Sequence, residues 1–185
     1  MTTVARDLRI EKLRRRDLRA VLEVETVVFP EPWSVGVFNS ELALRRGRRY
    51  RAAWDGDRLV GYIGFLLGGE EAHITTIATA PDYQRSGVAT ALILDGIYAL
   101  RGTGVKHLSL EVAAGNEPAQ SLYRRFGFGP VGVRKNYYQV TGEDALVMWA
   151  YDIDSKEYSK RLEELERRRT VTPERSRSRR RSPKR

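Results

Sequence analysis

The stretch ITTIATAPDYQRSGVATALILDGIYAL, residues 74–100, leads from a strand-like segment through a loop with proline and glycine into a long apolar segment. Residues 72–79 are predicted as a strand. The segment from about Gly87 to Leu100 predicts a helix that is apolar nearly all round, as expected for a helix packed flat on a sheet. A strand, a glycine-bearing loop and a helix in this order indicate a parallel continuation of an α/β sheet.

Further strands and helices are predicted on both sides of this stretch. Before it lie a strand at 6–13, a helix from about Asp17 that stops at Phe29-Pro30, a short helix capped by Ser34, and a hairpin with strands at 50–54 and 58–67. After it lie a strand at 107–112, a helix capped by Asn116 and ended by Gly127, strands at 131–140 and 144–151, and a terminal amphipathic helix behind Ser155. The sequence thus predicts one mixed α/β sheet with helices on its faces.

The net charge of +9 over 185 residues resembles a nucleic-acid-binding signal until it is located along the chain. Residues 167–185 carry nine arginines and one lysine against one glutamate, so they account for the whole excess. Residues 170–185 cannot bury enough apolar surface to offset chain entropy, which predicts a disordered tail. We therefore predict a main domain over 1–154, an amphipathic helix over 155–169 and an Arg/Ser-rich tail over 170–185.

The composition disfavours several classes of protein. The chain has no cysteine, which excludes disulfides, thiolate metal sites and a cysteine acyl-enzyme. Only His73 and His107 supply imidazoles, so most metalloenzymes and triad hydrolases are disfavoured, and the sequence gives neither histidine a role. No segment has the length of a membrane span or the apolar core of a signal peptide, so we expect a cytoplasmic protein.

The loop QRSGVA, residues 84–89, has the features of an anion site. Unpaired backbone N–H groups and the positive end of a helix dipole meet where a strand passes through a loop into a helix. Gly87 allows close approach of a ligand, and Thr90 adds a hydroxyl donor. The alternative is an ordinary strand-to-helix loop, which also needs a glycine. The loop is neither a Walker A motif nor a Rossmann G-x-G-x-x-G motif.

Several motifs resemble the GNAT superfamily of acetyltransferases, whose acetyl-CoA loop has the form Q/R-x-x-G-x-G/A. Residues 84–89 match that form position by position. The motifs FPEPWS at 29–34, LEVAAGNEPAQSLYRRFGF at 110–128 and RKNYYQVTGEDALVMWA at 134–150 are similar to the RimI-type N-terminal acetyltransferases, which modify the N-terminal alanine of a small-subunit ribosomal protein. The resemblance implies a mostly antiparallel central sheet with a splayed parallel strand pair and helices on both faces.

The resemblance also implies where acetyl-CoA binds, with no metal required. The strand before the loop would offer its backbone to pantetheine through Ile77, Ala78 and Thr79. The diphosphate would lie against Arg85, Ser86, Gly87, Val88, Ala89 and Thr90, and Asn116 and Tyr123 would complete the cofactor site. Because the chain has no nucleophilic cysteine, we expect direct attack of the amine in a ternary complex.

Glu111 and Tyr123 are the candidate catalytic residues. Glu111 lies on the strand face opposite Leu108, Leu110 and Val112, so it can face a cleft as a general base, although a solvated surface glutamate fits the same pattern. The phenol of Tyr123 has an intrinsic pKa near 10, which suits proton donation to a thiolate, although a core tyrosine fits as well. The resemblance assigns the base to Glu111 and the acid to Tyr123.

The peptide pocket is the least determined part of the site. We place Glu31, Trp33, Tyr137 and Tyr138 at its mouth; Trp33 could instead cover a core edge, and an alternating strand would turn one of the two tyrosines inward. The expected activity is acetyl-CoA-dependent acetylation of a protein N-terminus, first of all the alanine terminus of a ribosomal protein. Alternatives are acetylation of lysine or a small amine, and an RNA- or ribosome-binding module acting through the tail, which could equally be a solubilising extension.

Overall fold

The computed structural model describes residues 8–44 and 46–170, and in these residues seven strands form one sheet in the order β1-β2-β3-β4-β5-β7-β6. The strands are β1 (Leu8–Lys12), β2 (Arg48–Asp55), β3 (Arg58–Gly68), β4 (Glu71–Thr79), β5 (His107–Ala113), β6 (Gly129–Tyr138) and β7 (Glu143–Ala150). Only β4 and β5 are parallel; every other neighbouring pair is antiparallel. The predicted mixed, mostly antiparallel sheet is confirmed.

Helices cover both faces of the sheet. Over the described residues they are α1 (Leu18–Val28), α2 (Val35–Ala43), α3 (Val88–Leu100), α4 (Glu117–Arg125) and α5 (Lys156–Thr170). Tyr62 of β3 bonds to Glu25 of α1 and packs its ring on Phe38 of α2, so both helices share one face. The neighbouring Gly61 faces α3 instead, because a Cβ there would lie 2.8 Å from Val88 Cγ1. Glycine at this position lets α3 lie close to the sheet.

Local sequence signals place most of these elements correctly. The hydroxyl of Ser34 accepts the Val37 N–H at 3.3 Å, and Asn116 Oδ1 accepts the Ala119 N–H at 3.2 Å, so both predicted caps are confirmed. The first strand covers Leu8–Lys12, and its predicted start at residue 6 lies outside the described residues. A short 3-10 turn over Pro81–Tyr83, which the sequence pattern did not predict, separates β4 from the loop before α3.

The parallel pair β4 and β5 separates partway along its length. The strands pair only from Glu71 opposite His107 to Ile74 opposite Leu110. Beyond these positions β4 continues to pair with β3, whereas β5 continues to pair with β7. The sheet therefore opens between the last residues of β4 and β5, and this opening positions the candidate site.

The last helix packs into the same core as the sheet. Tyr158, Leu162 and Leu165 of α5 are all buried in it, and the Tyr158 hydroxyl donates to the Phe126 carbonyl at 2.6 Å. Within residues 8–44 and 46–170, no helix is both long and apolar enough to cross a membrane. The predicted tail lies outside the described residues apart from the end of α5, and the division at residues 154 and 169 stays a prediction.

Candidate active site

The loop before α3 holds two residues in the left-handed region of backbone conformation. Gly87, the N-cap of α3, has φ of 92°, and Arg85 has φ of 62°. A left-handed non-glycine residue is strained, and such strain is common at functional sites. At this helix end Ala91 donates to the Gly87 carbonyl at 3.0 Å. The N–H groups of residues 88–90 precede this first helical bond, so they are directed out of the helix end, where an anion is favoured.

The end of β4 presents an open backbone edge beside this loop. Ile77, Ala78 and Thr79 pair with β3 on one side, and in the described residues no strand pairs with them on the other. Thr79 Oγ1 is buried and has no hydrogen-bond partner among the described residues. An unpaired buried hydroxyl costs free energy. The open backbone edge and the helix end could together hold a ligand with an amide-bearing arm and a diphosphate.

Glu111 is mostly buried at the opening between β4 and β5, with 9% of its side chain exposed. Its Oε2 lies 2.8 Å from His73 Nε2, and its Oε1 lies 3.2 Å from a terminal guanidinium nitrogen of Arg134. It is therefore a paired, partly desolvated carboxylate rather than a solvated surface glutamate. A carboxylate in such surroundings can accept a proton from a neighbouring group.

Tyr123 is buried in α4 with its ring against Phe128, the centroids being 5.9 Å apart. The pKa of Tyr123 is raised well above its ordinary value, mainly by burial and to a smaller extent by the nearby Tyr138. The phenol therefore keeps its proton throughout the neutral range. Its hydroxyl makes no hydrogen bond to any residue that the structure describes, so the proton can be donated to a ligand.

Tyr137 and Tyr138 have their rings in contact with each other, so the strict alternation that would turn one of them inward does not hold here. The physical reason is Asn136, whose φ of 49° interrupts the strand where the register with β7 shifts. The tyrosine rings meet edge to face at 5.2 Å. Burial first, then Tyr137 and Glu111, raises the pKa of Tyr138 to about 12. Tyr138 also acts electrostatically on Tyr123, and the meeting of Glu111 and Tyr123 in one site stays a prediction.

Glu31 and Trp33 lie in the connection between α1 and α2. Glu31 Oε1 accepts the Val140 N–H at 2.5 Å, which joins this connection to the one between β6 and β7. The Trp33 ring packs on the Phe38 ring with the centroids 5.4 Å apart, and the backbone N–H of Trp33 donates to Glu25 Oε1 at 2.7 Å. Trp33 is packed against the core, as its alternative role at a core edge predicts, and the place of Glu31 and Trp33 at the mouth of a peptide pocket stays a prediction.

The sequence patterns missed several residues that shape the site. Gln120 is buried and donates to the carbonyls of Ala113 and Ala114 at 3.1 and 2.9 Å, which fixes the turn between β5 and α4. Its place one turn after the cap Asn116 was the available signal. His73 and Arg134 reach Glu111 from other strands, so only the strand register reveals them. Asn116 acts as a helix cap, and its contact with a cofactor stays a prediction.

The described residues contain no group of three or more histidine, aspartate or glutamate side chains placed to hold a metal ion. The chemistry that these side chains support is proton transfer. Glu111 can accept a proton and Tyr123 can donate one, beside a helix end suited to an anion.

Residues 18–128 match the acetyltransferase (GNAT) family. This match spans more than half of the chain, and the sheet with its single parallel pair agrees with it. The chain belongs to the GNAT family, and it is an acetyltransferase.

The most similar relatives include N-terminal acetyltransferases. The chain is 35% identical over 143 residues to the ribosomal protein bS18-alanine N-acetyltransferase of Escherichia coli, covering 75% of this chain and 94% of that protein. It is 37% identical over 154 residues to the N-alpha-acetyltransferase RimI of Mycobacterium tuberculosis, and the match covers 80% of this chain and 95% of that protein. The crystal structure of the Escherichia coli S18-alanine enzyme matches with a TM-score of 0.73 at 32% identity, covering 79% and 94%.

Proposed function

We propose that this chain transfers acetyl from acetyl-CoA to the N-terminal α-amine of a protein, with the N-terminal alanine of ribosomal protein bS18 as the first candidate acceptor. The observation that supports the proposal is Glu111, a mostly buried carboxylate held by His73 next to the point where β4 and β5 separate, together with the buried, protonated phenol of Tyr123. The relatives that act on the bS18 alanine support the choice of acceptor. A ribosomal acceptor would place the enzyme in the cytoplasm, which is part of the proposal.

Acetyl-CoA would lie along the opened edge of β4. The backbone of Ile77, Ala78 and Thr79, which no strand pairs on the β5 side in the described residues, would pair with the pantetheine arm. Residues 85–90 would hold the diphosphate through the free N–H groups at the start of α3 and the helix dipole, while the Ser86 N–H is bonded to the Tyr83 carbonyl. Asn116 would contact the cofactor from the start of α4. Acetyl-CoA supplies the activated acyl group, and the protein supplies orientation and proton transfer.

The catalytic steps follow from the two titratable side chains. Glu111 takes a proton from the amine, directly or through a water, so that the nitrogen lone pair can attack the thioester carbonyl. A carbon–nitrogen bond forms and the carbon–sulfur bond breaks in a ternary complex. Tyr123 gives its proton to the departing thiolate. The nitrogen loses two protons, one that frees its lone pair and one after the attack, whereas the sulfur gains one from Tyr123. The remaining proton is released to solvent, which also restores the starting protonation of Glu111 and Tyr123.

An α-amine suits this site better than a lysine. At pH 7 deprotonation of an α-amine costs about 1 kcal/mol, whereas deprotonation of a lysine costs about 4.6 kcal/mol, since their pKa values lie near 7.7–8.0 and 10.4. A single carboxylate base is therefore enough for an N-terminal acceptor. We place the peptide between Glu31 and Trp33 on one side and Tyr137 and Tyr138 on the other.

The acceptor class is tested with acetyl-CoA and a panel of peptides that begin with alanine, serine or methionine and carry one internal lysine. Fragmentation mass spectra locate the acetyl group. We expect it on the α-amine, with the alanine peptide as the best acceptor. Acetylation of the internal lysine alone, or of a free polyamine in preference to every peptide, would reject the N-terminal assignment.

The role of Glu111 is tested by Glu111→Gln, which keeps the shape of the side chain but removes the base. We expect kcat to fall by roughly 10²-fold or more, since general base catalysis contributes roughly 10²–10⁴-fold. The matched control is Glu143→Gln, whose side chain accepts the Gly115 N–H instead of contacting Glu111. Full activity of the Glu111 variant would remove it from the mechanism.

The proposal also includes a weak RNA or ribosome contact through the Arg/Ser-rich tail. The last turn of α5, which leads into the tail, carries Arg167, Arg168 and Arg169. Phosphate contacts through such a segment should weaken steeply with salt. Deleting residues 171–185 should abolish RNA binding in filter assays and leave acetyl transfer unchanged; RNA binding that survives the deletion would contradict this part.

A further inference from the structure

Glu111 is held by two side chains that differ in their own surroundings. His73 Nε2 lies 2.8 Å from Oε2, and the other ring nitrogen, Nδ1, lies 2.9 Å from Ser109 Oγ. The His73 side chain is 29% exposed. Arg134 reaches Oε1 at 3.2 Å with a side chain that is 57% exposed. One carboxylate oxygen is thus held by an anchored ring and the other by a more exposed, flexible side chain.

The strand register places His73 where the sheet begins to open. His73 pairs with Ser109 across the parallel strands, one position before the pairing ends. Glu111 follows two residues after Ser109, so it lies on the same face of β5. The two nitrogens of one imidazole can therefore reach both residues at the start of the gap. His73 can contact both Ser109 and Glu111 only because β4 and β5 are parallel neighbours that then separate.

The chemistry of these groups fixes where the proton lies. An ionised carboxylate only accepts hydrogen bonds, so Nε2 of His73 must carry a hydrogen and donate it to Oε2. In the neutral ring Nδ1 then accepts, and the Ser109 hydroxyl donates to it. Ser109 thereby selects the tautomer, as outer hydrogen bonds do for other functional histidines. Oε1 remains as the oxygen that can take a further proton.

We propose that His73 is a positioning residue for acetyl transfer: it fixes Oε2 of Glu111 so that Oε1 takes the proton of the acceptor amine. The inference rests on the proposed function, in which Glu111 is the base. The incoming amine displaces the exposed Arg134 side chain from Oε1, while His73 stays bound to Oε2 and Ser109. The amine proton passes to Oε1, and the proton on Nε2 stays in place.

Two substitutions of His73 form a matched pair. In His73→Gln the amide nitrogen lies as many bonds from Cα as Nε2, so it can still donate to Oε2. In His73→Asn the amide nitrogen corresponds to Nδ1 and cannot reach Glu111. We expect kcat to fall roughly 10-fold in the asparagine variant and to stay within roughly threefold in the glutamine variant, because a misoriented base loses part of its 10²–10⁴-fold contribution.

The control is His107→Gln, which changes the other histidine. His107 is the first residue of β5, its ring centroid lies 5.4 Å from that of Tyr151, and it is not among the residues proposed for catalysis or binding. The kcat of His107→Gln should therefore equal that of the wild type. KM for acetyl-CoA should be unchanged in all three variants, since none contacts residues 85–90. A merely structural role of His73 would lower the thermal unfolding midpoint, without rescue of kcat by glutamine.

The outcomes separate this inference from the proposed function. An inactive wild type, or full activity of Glu111→Gln, overturns the proposed function itself. An active wild type with wild-type kcat in His73→Asn, or an equal loss of kcat in both His73 variants, overturns the role of His73 alone. If His73→Asn does not fold, nitrogen NMR of the wild-type protein decides the matter: a proton on Nε2 supports the inference, and an unprotonated Nε2 overturns it.

Discussion

Tyr123 combines deep burial with a hydroxyl that bonds to no described residue, and its role is tested by Tyr123→Phe. Burial holds its pKa well above the ordinary value, so the phenol is a proton donor over the whole neutral range. Removing the hydroxyl should lower kcat by roughly 10²-fold, the lower end of what acid catalysis contributes, with little change in KM for acetyl-CoA. Steady-state kinetics at saturating peptide measures this.

The matched control for Tyr123 is Tyr98→Phe on α3. The Tyr98 hydroxyl bonds to Glu166 at 3.2 Å, and the side chain is exposed. This variant should keep the kcat of the wild type. If Tyr123→Phe and Tyr98→Phe are equally active, another group must protonate the thiolate.

Glu25 is a buried carboxyl whose protonation should be visible in stability. It accepts the Trp33 N–H and the Tyr62 hydroxyl, and burial raises its pKa. Its favourable contribution to folding is fully present below the unfolded-state pKa and is lost as pH rises through the raised folded-state pKa. Glu25→Gln cannot ionise. The free energy of unfolding of Glu25→Gln, relative to that of the wild type, should therefore increase as pH rises. The increase should be about 1.4 kcal/mol for each unit by which the folded-state pKa of Glu25 is raised.

The Glu25 prediction is measured by urea unfolding of both proteins from pH 4 to pH 8. The difference between the variant and the wild type isolates Glu25, because all other carboxyl groups are shared. A difference that is constant with pH would mean that Glu25 titrates alike in both states.

At the residue scale the sequence predicted side chains but not their partners. Ser34 and Asn116 were found as caps because a cap acts over three residues of the same chain. The contact of His73 with Glu111 was missed because it depends on the register of two strands 38 positions apart, which no local pattern contains. The direction of Tyr138 could not be judged from the sequence, because the positive φ of Asn136 breaks the strand alternation on which the inward alternative depended.

Among the elements, the loop before α3 is tested by comparing two glycine-to-alanine substitutions, one inside the loop and one outside it. Gly87→Ala and Gly102→Ala both place alanine in a left-handed conformation, with φ of 92° and 79°. Each should lose roughly 1–2 kcal/mol of stability. Only the first lies in the proposed diphosphate loop, so only Gly87→Ala should also weaken CoA binding, by roughly tenfold or about 1.4 kcal/mol.

Calorimetry with CoA tests the pair, with chemical unfolding as the measure of stability. Equal affinity of the two glycine variants for CoA would remove Gly87 from the binding site. An equal loss of affinity in both would indicate a general effect of destabilisation rather than a local one.

The sequence predicted the helices and strands themselves better than it predicted which strands pair with each other. The apolar segment before Leu100 and the hairpin around Gly56 carry local signals, and both were correct. The exchange of β6 and β7 in the sheet order and the end of pairing at Ile74 arise from long-range packing. These long-range features create the opening, so the site could be named by resemblance but not built from local patterns.

At the scale of the whole molecule, α5 should be part of the cooperative fold. Its three buried side chains, Tyr158, Leu162 and Leu165, should together contribute roughly 5 kcal/mol, since one fully buried apolar side chain contributes about 1.5–3 kcal/mol. Ending the chain after residue 154 should therefore strongly destabilise it, whereas ending it after residue 170 should not. Urea midpoints of the two truncations measure this, and equal midpoints would contradict it.

The sheet as a whole relates the proposed base, the proposed acid and the proposed anion site to one another. The parallel pair brings Glu111 beside β4, its divergence frees the end of β4, and the chain then enters α3 through the loop at 85–90. Tyr123 comes from α4, which follows β5 directly after the turn held by Gln120. Each part of the proposed reaction therefore depends on the same opening.

The most direct test of this account is a crystal structure of the protein with CoA joined through its sulfur to an alanine-starting peptide. We expect the diphosphate on the N–H groups of residues 87–90, the Tyr123 hydroxyl at the sulfur, and Glu111 within reach of the α-nitrogen through Oε1 or a bridging water. A diphosphate bound elsewhere, or a sulfur remote from both Glu111 and Tyr123, would contradict the account.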